Sequence, residues 1–275
     1  MPTYNLDVPA DLTVDVKLPI GLVEIVAGPP GIATVELTSR GGLGEQLLDE
    51  SRVEVSGDRL IVHAPDRGTR GLGLFRARVS GSLHARITIP EGARLDADVA
   101  AADIDAPIRF REAQIRSASG DIRLGDVTGP ASVHTASGDL QLGDVDGDLS
   151  AATASGDVRI GDVGGTATVR TASGDVAVGS LGGDARVRSV SGDVAVRELT
   201  SGDIDVASTS GDLDLRVAPG LQIHLDVSSV SGDLRSDLGG GDESRSQVDL
   251  SLRARSVSGD ITISRARTAG RAQVV

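Results

Sequence analysis

Hydrophobic and polar residues alternate along most of the chain, and over residues 94–265 the alternation returns with a nearly fixed period. Each return is marked by Ser-Gly-Asp and a following aliphatic residue, and Ala101-Ala102-Asp103 stands in the same frame. Between the aspartates from Asp103 to Asp260, the steps are 18, 18, 18, 18, 18, 19, 21 and 27 residues. A period of this length indicates a repeat architecture, in which each repeat is one structural unit.

Each repeat contains two strand patterns and a shorter third one. The position after the aspartate is always aliphatic: Ile104, Ile122, Leu140, Val158, Val176, Val194, Leu213, Leu234 and Ile261. The position six before it is also apolar: Ala97, Ile115, Val133, Ala151, Val169, Val187, Val206, Val227 and Ala254. A third apolar position follows the Gly-containing corner in the middle of the repeat: Val127, Val145, Val163, Leu181 and Leu199. Alternation with period two around these positions predicts strands with one buried face.

Like residues recur at like places, so the repeats can stack in parallel with neighbouring strands about 4.8 Å apart. The sequence therefore predicts an all-β fold, a parallel β-solenoid with three sides and roughly 18 residues per coil. Its crossovers should be right-handed by the general rule for parallel strands. We expect the coils to stack in chain order, with the coil of Asp260 last. The near absence of aromatic residues predicts a narrow lumen.

The chain divides into three parts by pattern. Residues 1–93 are β-rich without the clean period, and we interpret them as an irregular cap that is continuous with the solenoid; a separate small β domain is the alternative. Gly44–Glu50 is the one helix candidate, and Asp66–Gly73 has the composition of a loop. Residues 94–265 form the regular solenoid, with an insertion loop near 236–247, and residues 266–275 form a polar tail.

Composition narrows the classes of function and location. The chain has no cysteine, which excludes disulfides and thiolate metal sites. A net charge of −13 disfavours nucleic acid and anionic membranes as partners, and no stretch is apolar enough to insert into a membrane. The first residues do not resemble a signal peptide. We therefore expect a cytoplasmic protein.

The repeated aspartates are the most conspicuous candidate site. Stacking would place them in one row along an edge of the solenoid: Asp121, Asp139, Asp157, Asp175 and Asp193. A structural interpretation is that each carboxylate accepts backbone N–H bonds at its own corner, as aspartate does in turns. The alternative is a ladder of cation sites, although the Gly-Gly-x-Gly-x-Asp spacing of calcium-binding repeats is absent. We favour the structural role and predict no metal and no cofactor.

Other polar residues give little support for catalysis. Hydroxyl residues recur four places before the aspartates, and such a repeated set indicates structural hydrogen bonds rather than one nucleophile: Ser117, Thr135, Thr153, Thr171, Ser189, Ser208, Ser229 and Ser256. The histidines share no motif, and there is no Gly-x-Ser-x-Gly turn. Several outward arginines are expected to form a solvated face that balances the aspartate edge: Arg116, Arg123, Arg159, Arg170 and Arg188. We predict that the protein is not an enzyme.

The tandem Ser-Gly-Asp phrase, preceded by a β-rich start and by Ile89-Pro90-Glu91-Gly92, resembles the bacterial putative-adhesin β-strand-repeat family. That resemblance covers most of the chain and implies the repeat fold, whereas the function of the family is largely unknown. In architecture alone, the predicted solenoid is also similar to bactofilins, which are cytoplasmic three-sided β-solenoids that polymerise end to end.

These observations favour a non-catalytic structural or interaction protein, a rigid scaffold that presents flat β faces to a protein partner or to itself. A calcium- or carbohydrate-binding adhesin-like module is the alternative, and a polysaccharide-active β-helix enzyme is a third. Self-association is expected through the solenoid ends, because terminal coils have unpaired backbone edges. From Arg253 to Val275 there are five arginines and one aspartate, so the C-terminal end is locally basic.

Overall fold

A computed structural model describes residues 2–65, 81–238 and 249–266. The sequence patterns predict strands almost throughout, and the described residues form them with a single short helix. The loop predicted at 66–73 lies outside the described residues, as do most of the insertion near 236–247 and the tail after Ala266.

The first third of the chain forms one end of the molecule. Its elements are β1 (Thr3–Asp7), β2 (Thr13–Ala27), β3 (Ile32–Arg40), α1 (Gly41–Asp49), β4 (Arg52–Ser56), β5 (Arg59–His63) and β6 (Ser82–Ile89). Strand β2 pairs in parallel with β5 and β6 on one side and with β7 (Arg94–Ala106) on the other. Beyond β5 and β6 the pairing turns antiparallel, with β4 on β5, β3 on β6 and β1 on β3. This end is therefore closed by antiparallel strands.

The regular coils repeat three parallel pairings. Each coil has a long strand: β8 (Glu112–Ser119), β10 (Ala131–Ser137), β12 (Leu149–Ser155), β14 (Ala167–Ser173) and β16 (Ala185–Ser191). Each then has a short strand: β9 (Ile122–Leu124), β11 (Leu140–Leu142), β13 (Val158–Ile160), β15 (Val176–Leu181) and β17 (Val194–Leu199). On the third side, single bridges join Phe110, Val127, Val145, Val163 and Leu181. Partners such as Ala131 and Leu149 are 18 residues apart, so the predicted parallel β-solenoid is confirmed.

The apolar columns fill the lumen. Val133, Ala151 and Val169 are neighbours in register, and each is at most 1% exposed. Phe110 departs from the expectation that rings are too large for the interior, because it is fully buried. Two buried residues that precede it in the chain, Ala102 and Ala106, have small side chains.

The order of the last coils differs from the predicted chain order. The remaining strands are β18 (Gly202–Ser210), β19 (Leu213–Val217), β20 (Ile223–Ser231), β21 (Leu234–Asp237), β22 (Leu250–Ser258) and β23 (Ile261–Arg265). Strands β22 and β23 pair with β18 and β19 on one side and with β20 and β21 on the other. The coil of Asp260 is therefore penultimate, and the coil of Asp233 is terminal.

Burial explains this interleaved order. Ile261 and Ile263 of β23 are completely buried because a coil covers them on each side. Their partners in β21 are Leu234, which is 52% exposed, and Ser236, whose hydroxyl tolerates water. The more apolar coil occupies the position with two neighbours, and the more polar one lies at the end.

Substitutions at adjacent positions of β14 should distinguish its inward face from its outward face by their effects on stability. Val169→Asp places an unpaired carboxylate among apolar side chains, so we expect a loss of about 3–5 kcal/mol in the free energy of unfolding. The adjacent outward change Arg170→Ser should alter it by less than about 0.5 kcal/mol. Urea unfolding of both variants measures the difference, and equal effects would contradict the assignment of faces.

Candidate functional site

The Ser-Gly-Asp corner requires glycine for two reasons. Gly156 has a φ of 121°, a conformation that residues with a Cβ atom rarely adopt. A Cβ atom at this position would also lie 2.1 Å from the carbonyl oxygen of Gly138 in the preceding coil. The close approach of successive corners therefore depends on glycine, and it brings the following aspartates next to one another.

The aspartates form a continuous row of hydrogen bonds between coils, which we call the aspartate ladder. The backbone N–H of Asp139 donates to Oδ1 of Asp121 at 2.9 Å, and that of Asp157 donates to Oδ1 of Asp139 at 3.0 Å. The same bond recurs in the order Asp103, Asp121, Asp139, Asp157, Asp175, Asp193, Asp212, Asp260 and Asp233. Each carboxylate thus accepts from the next coil, which corrects the expectation of a bond within its own corner.

The other two corners use the same bond, which the sequence analysis did not identify. Asp144 donates its N–H to Oδ1 of Asp126 at 3.1 Å, and Asp162 donates to Asp144 at 2.8 Å. At the third corner, Asp203 donates to Asp184 at 2.9 Å. Gly-Asp pairs that recur 18 residues apart are the sequence signal for these rows.

The ladder geometry favours the structural role over cation binding. In each bond Oδ1 is occupied by an N–H group, and Oδ2 of Asp157 is bonded to Arg159 at 2.9 Å. In the described parts of the chain, no group of three or more histidine, aspartate or glutamate residues is arranged to hold a metal ion. The five predicted candidates, Asp121 to Asp193, lie in one row as expected, and cation binding by that row stays untested.

Several of the repeated hydroxyls and two of the histidines make structural contacts, whereas the buried Oγ atoms of Ser208 and Ser256 have no hydrogen-bond partner among the described residues. Thr135 Oγ1 donates to the carbonyl oxygen of Ser137 at 2.8 Å, and Thr153 and Thr171 make the equivalent bond. These three side chains are buried inside the corner, so they are poorly placed to act as nucleophiles. His63 contacts Asp15 at 2.7 Å, and His84 contacts Glu24 at 3.2 Å, both near the closed end.

The outer side of the long strands carries the densest group of cations, which we call the arginine face: Arg170, Arg186, Arg188, Arg253 and Arg255. Arg170 and Arg188 are register partners on β14 and β16. Arg186 and Arg253 flank Asp205 from the coils on either side. The interleaved coil brings Arg253 and Arg255 into this group, which is why the sequence analysis, with its coils in chain order, missed it.

Two carboxylates are paired with arginines of the arginine face. Arg188 forms an ion pair with Asp205, and Arg253 bonds Asp226 at 3.0 Å. Asp184 and Asp203 line the same groove as Arg186 and Arg253, so five arginines lie among four carboxylates on a chain whose net charge is −13. Of the arginines that the sequence analysis named, Arg170 and Arg188 belong to this face, whereas Arg123 and Arg159 lie on the short strands.

A row of exposed apolar side chains runs beside the arginine face, three places before the aspartate ladder. In the first coils it consists of Ala118, Ala136, Ala154 and Ala172. Towards the end of the stack the side chains become larger: Val190, Val257 and Val230 are 56%, 51% and 82% exposed, and the exposed Thr209 lies between Val190 and Val257. Arginine and apolar side chains therefore lie side by side on one flat face.

The arginines also control the charge state of Asp205. The hydrogen bond from Arg188 outweighs burial and, with the charges of Arg188, Arg255 and Arg186, holds the pKa of Asp205 below its ordinary value. At the closed end, burial opposes ionisation of Asp15, but His63, Lys17 and Arg59 outweigh it and lower the pKa of Asp15. Both carboxylates stay ionised at neutral pH, and their ion pairs fix local geometry.

The described surface has shallow grooves. One groove of about 520 Å³ lies within the arginine face, where Thr168, Arg186, Asp205 and Arg253 line it. Another of about 970 Å³ crosses the short strands near the terminal coil and is lined by Asp214, Arg216 and Arg265 among others. Open grooves of this kind suit a docked surface better than an enclosed small molecule. Among the described helices, none is long and apolar enough to cross a membrane.

The fold and its sites define a parallel β-solenoid whose repeated polar residues hold the coils together. The chain belongs to the Toastrack family, DUF4097, whose family model matches residues 36–264. The resemblance to a bacterial adhesin-type repeat family of unknown function is thereby confirmed. No curated protein matches the sequence.

Solved structures similar to this chain come from Parabacteroides and Bacteroides species. A "putative adhesin" of Parabacteroides distasonis is 14% identical, with 95% of this chain and 96% of that chain covered and a TM-score of 0.46. A "putative adhesin" of Bacteroides fragilis is 12% identical, with the same coverage and a TM-score of 0.42. A "putative lipid binding protein" of P. distasonis is 16% identical over 96% of both chains, with a TM-score of 0.32. At these values the likeness carries no conclusion about function.

Removing one rung should show what the aspartate ladder does. Asp157→Ala deletes the acceptor for the N–H of Asp175, so we expect a loss of roughly 1–2 kcal/mol in stability. Asp157→Asn keeps an acceptor oxygen and should cost less than about 1 kcal/mol. In thermal melts, we expect calcium and chelator to leave all three proteins unchanged. A calcium-dependent rise in the wild type that both variants lose would establish cation binding instead.

Lowering the pH should remove the contribution of the Asp205 ion pair to stability. Because its pKa is lowered in the folded protein, this carboxylate contributes stability above its unfolded pKa of about 3.9, and that contribution is lost as the pH falls through the folded pKa. We expect Asp205→Asn to lower the melting temperature at pH 6 and to lie closer to the wild type near pH 3. The exposed Asp146→Asn change is the matched control, and an identical pH profile for both variants would contradict the assignment.

Proposed function

We propose that the chain is a non-catalytic interaction module, a rigid β-solenoid that docks a protein partner on the arginine face. The observation that carries the proposal is the juxtaposition, on one flat face, of Arg170, Arg188 and Arg255 with the exposed valines Val190 and Val257. Interfaces between proteins combine apolar contact with arginine in this way.

The chemistry of the face indicates the kind of partner. The arginines of the face favour an acidic protein surface as the partner, and the valine row needs an apolar strip beside those acids. The net charge of −13 disfavours nucleic acid, and the near absence of aromatic residues removes the platform on which sugars stack. The cytoplasmic location stays a prediction.

Rigidity supports the same proposal. Each outward side chain of the face stands on a strand whose neighbours are fixed in register. On β14, for example, Arg170 lies between Ala152 of β12 and Arg188 of β16. The backbone of the face therefore loses little conformational freedom when a partner binds, which reduces one of the entropic costs of association.

Charge reversal on the face tests the proposal. Immobilised wild type is compared with Arg170→Glu and with Arg123→Glu, which makes the same charge change on a short strand away from the face. We expect Arg170→Glu to weaken capture of a partner from host extract by at least about fivefold, as when a contact worth about 1 kcal/mol is lost. Capture by Arg123→Glu should equal that of the wild type.

Two further measurements define the outcome. Added salt should weaken capture, because exposed charges are screened at distances of about 8–10 Å at physiological ionic strength. Thermal melts of both variants confirm that they are folded. The same captured proteins in the same amounts with wild type, Arg170→Glu and Arg123→Glu would overturn the proposal.

A further inference from the structure

The two ends of the solenoid are built differently. At the first end, antiparallel strands and α1 cover the parallel coils, and the inward residues of β2, such as Val14 and Val16, are completely buried. At the other end, β20 and β21 pair with β22 and β23 on one side, and no described residue pairs with their second edge. We call this second end the open end.

The open end exposes residues that are buried in every other regular coil. Leu225 and Val227 are half-buried, whereas their register partners Leu252 and Ala254 are completely buried. Leu234 is 52% exposed, whereas its partner Ile261 is completely buried. An apolar lumen and a row of backbone groups are thus presented together, which is the surface that normally receives another coil.

We propose that the open end binds the open end of a second copy of this chain. Within the regular stack, a coil edge is covered by another coil of the same repeat, and an exposed strand edge can also pair antiparallel with the same edge of a second copy. The closed end of a second copy offers antiparallel strands instead. End-to-end contact between like ends is a two-fold arrangement, in which β20 pairs antiparallel with its own copy.

The sequence of β20 selects a register for that pairing. Centred on Leu225, the pairing sets Leu225 opposite its own copy and Ile223 opposite Val227, so inward apolar residues meet inward apolar residues. On the outward side, His224 then lies opposite Asp226, and the symmetry produces this pair twice. Centring on Asp226 would set two carboxylates opposite each other, which opposes that register.

The size of the contact sets its strength. One short strand pair and the rim of the lumen form a small interface compared with the 1,200–2,000 Å² or so of stable complexes. We therefore expect reversible dimerisation that depends on protein concentration. This contact leaves the arginine face free, so its failure would leave the proposed partner docking intact.

Cross-linking gives a direct test, because the full chain contains no cysteine. Across an antiparallel pair, residues opposite each other have Cα atoms about 4.5–5.5 Å apart, which a disulfide can span. Leu225→Cys should therefore give a covalent dimer on mild oxidation. Val190→Cys is the control, because it places the cysteine at a more exposed position away from the open end, and it should give little covalent dimer.

Sedimentation of the full-length protein completes the test. The wild type should show a mass that rises from monomer to dimer with concentration, and His224→Asp should raise the dissociation constant by at least about fivefold, because two attractive pairs become repulsive. His224 is exposed, so its replacement leaves the core intact. A wild type that is monomeric at every concentration, or Leu225→Cys cross-linking no better than Val190→Cys, would overturn the proposal.

Discussion

The structure depends on hydrogen bonds between one coil and the next, because a single coil has almost no hydrogen-bonded structure of its own. Main-chain groups pair between coils along three sides, and at the corners the carboxylate of one aspartate accepts the N–H of the next. This bond completes the backbone at points where the strands are interrupted. Glycine is required at the corner because the bond brings successive corners too close together for a side chain.

The aspartate ladder resolves a conflict between charge and geometry. Unit charges about 4 Å apart repel by about 1 kcal/mol in water, and a row of carboxylates accumulates that cost. A hydrogen bond to a charged acceptor contributes about 1.5–3 kcal/mol, so each rung more than offsets its repulsion. Arginines two places after the aspartate reduce the repulsion further, as Arg159 and Arg235 do for Asp157 and Asp233. Backbone N–H groups and arginines therefore oppose the repulsion within the row.

The repeat period made the interior of the solenoid predictable, and it made the end unpredictable. Inward residues such as Val133 and Val169 follow from alternation at a constant step, because stacking in register leaves them no other place. The order of the last coils does not follow from the repeat period. The coils of Asp233 and Asp260 both contain the Ser-Gly-Asp motif, so either could stack on the coil of Asp212. Ser236 at an inward position was the available signal, because a hydroxyl there suits the coil with one neighbour. The arginine face depends on that order, so it was missed as well.

The order of the last coils also determines which part of the solenoid is least stable locally. The coil of β22 and β23 is held from both sides, so the arginines it carries stand on a firmly supported strand. The coil of β20 and β21 is held from one side and buries less apolar surface, so it should have the lowest local stability of the stack. Whatever covers its free edge gains the hydrogen bonds and burial that a next coil would supply. Among the described residues, the unpaired strand edge of the regular stack therefore lies at the open end, beside the arginine face.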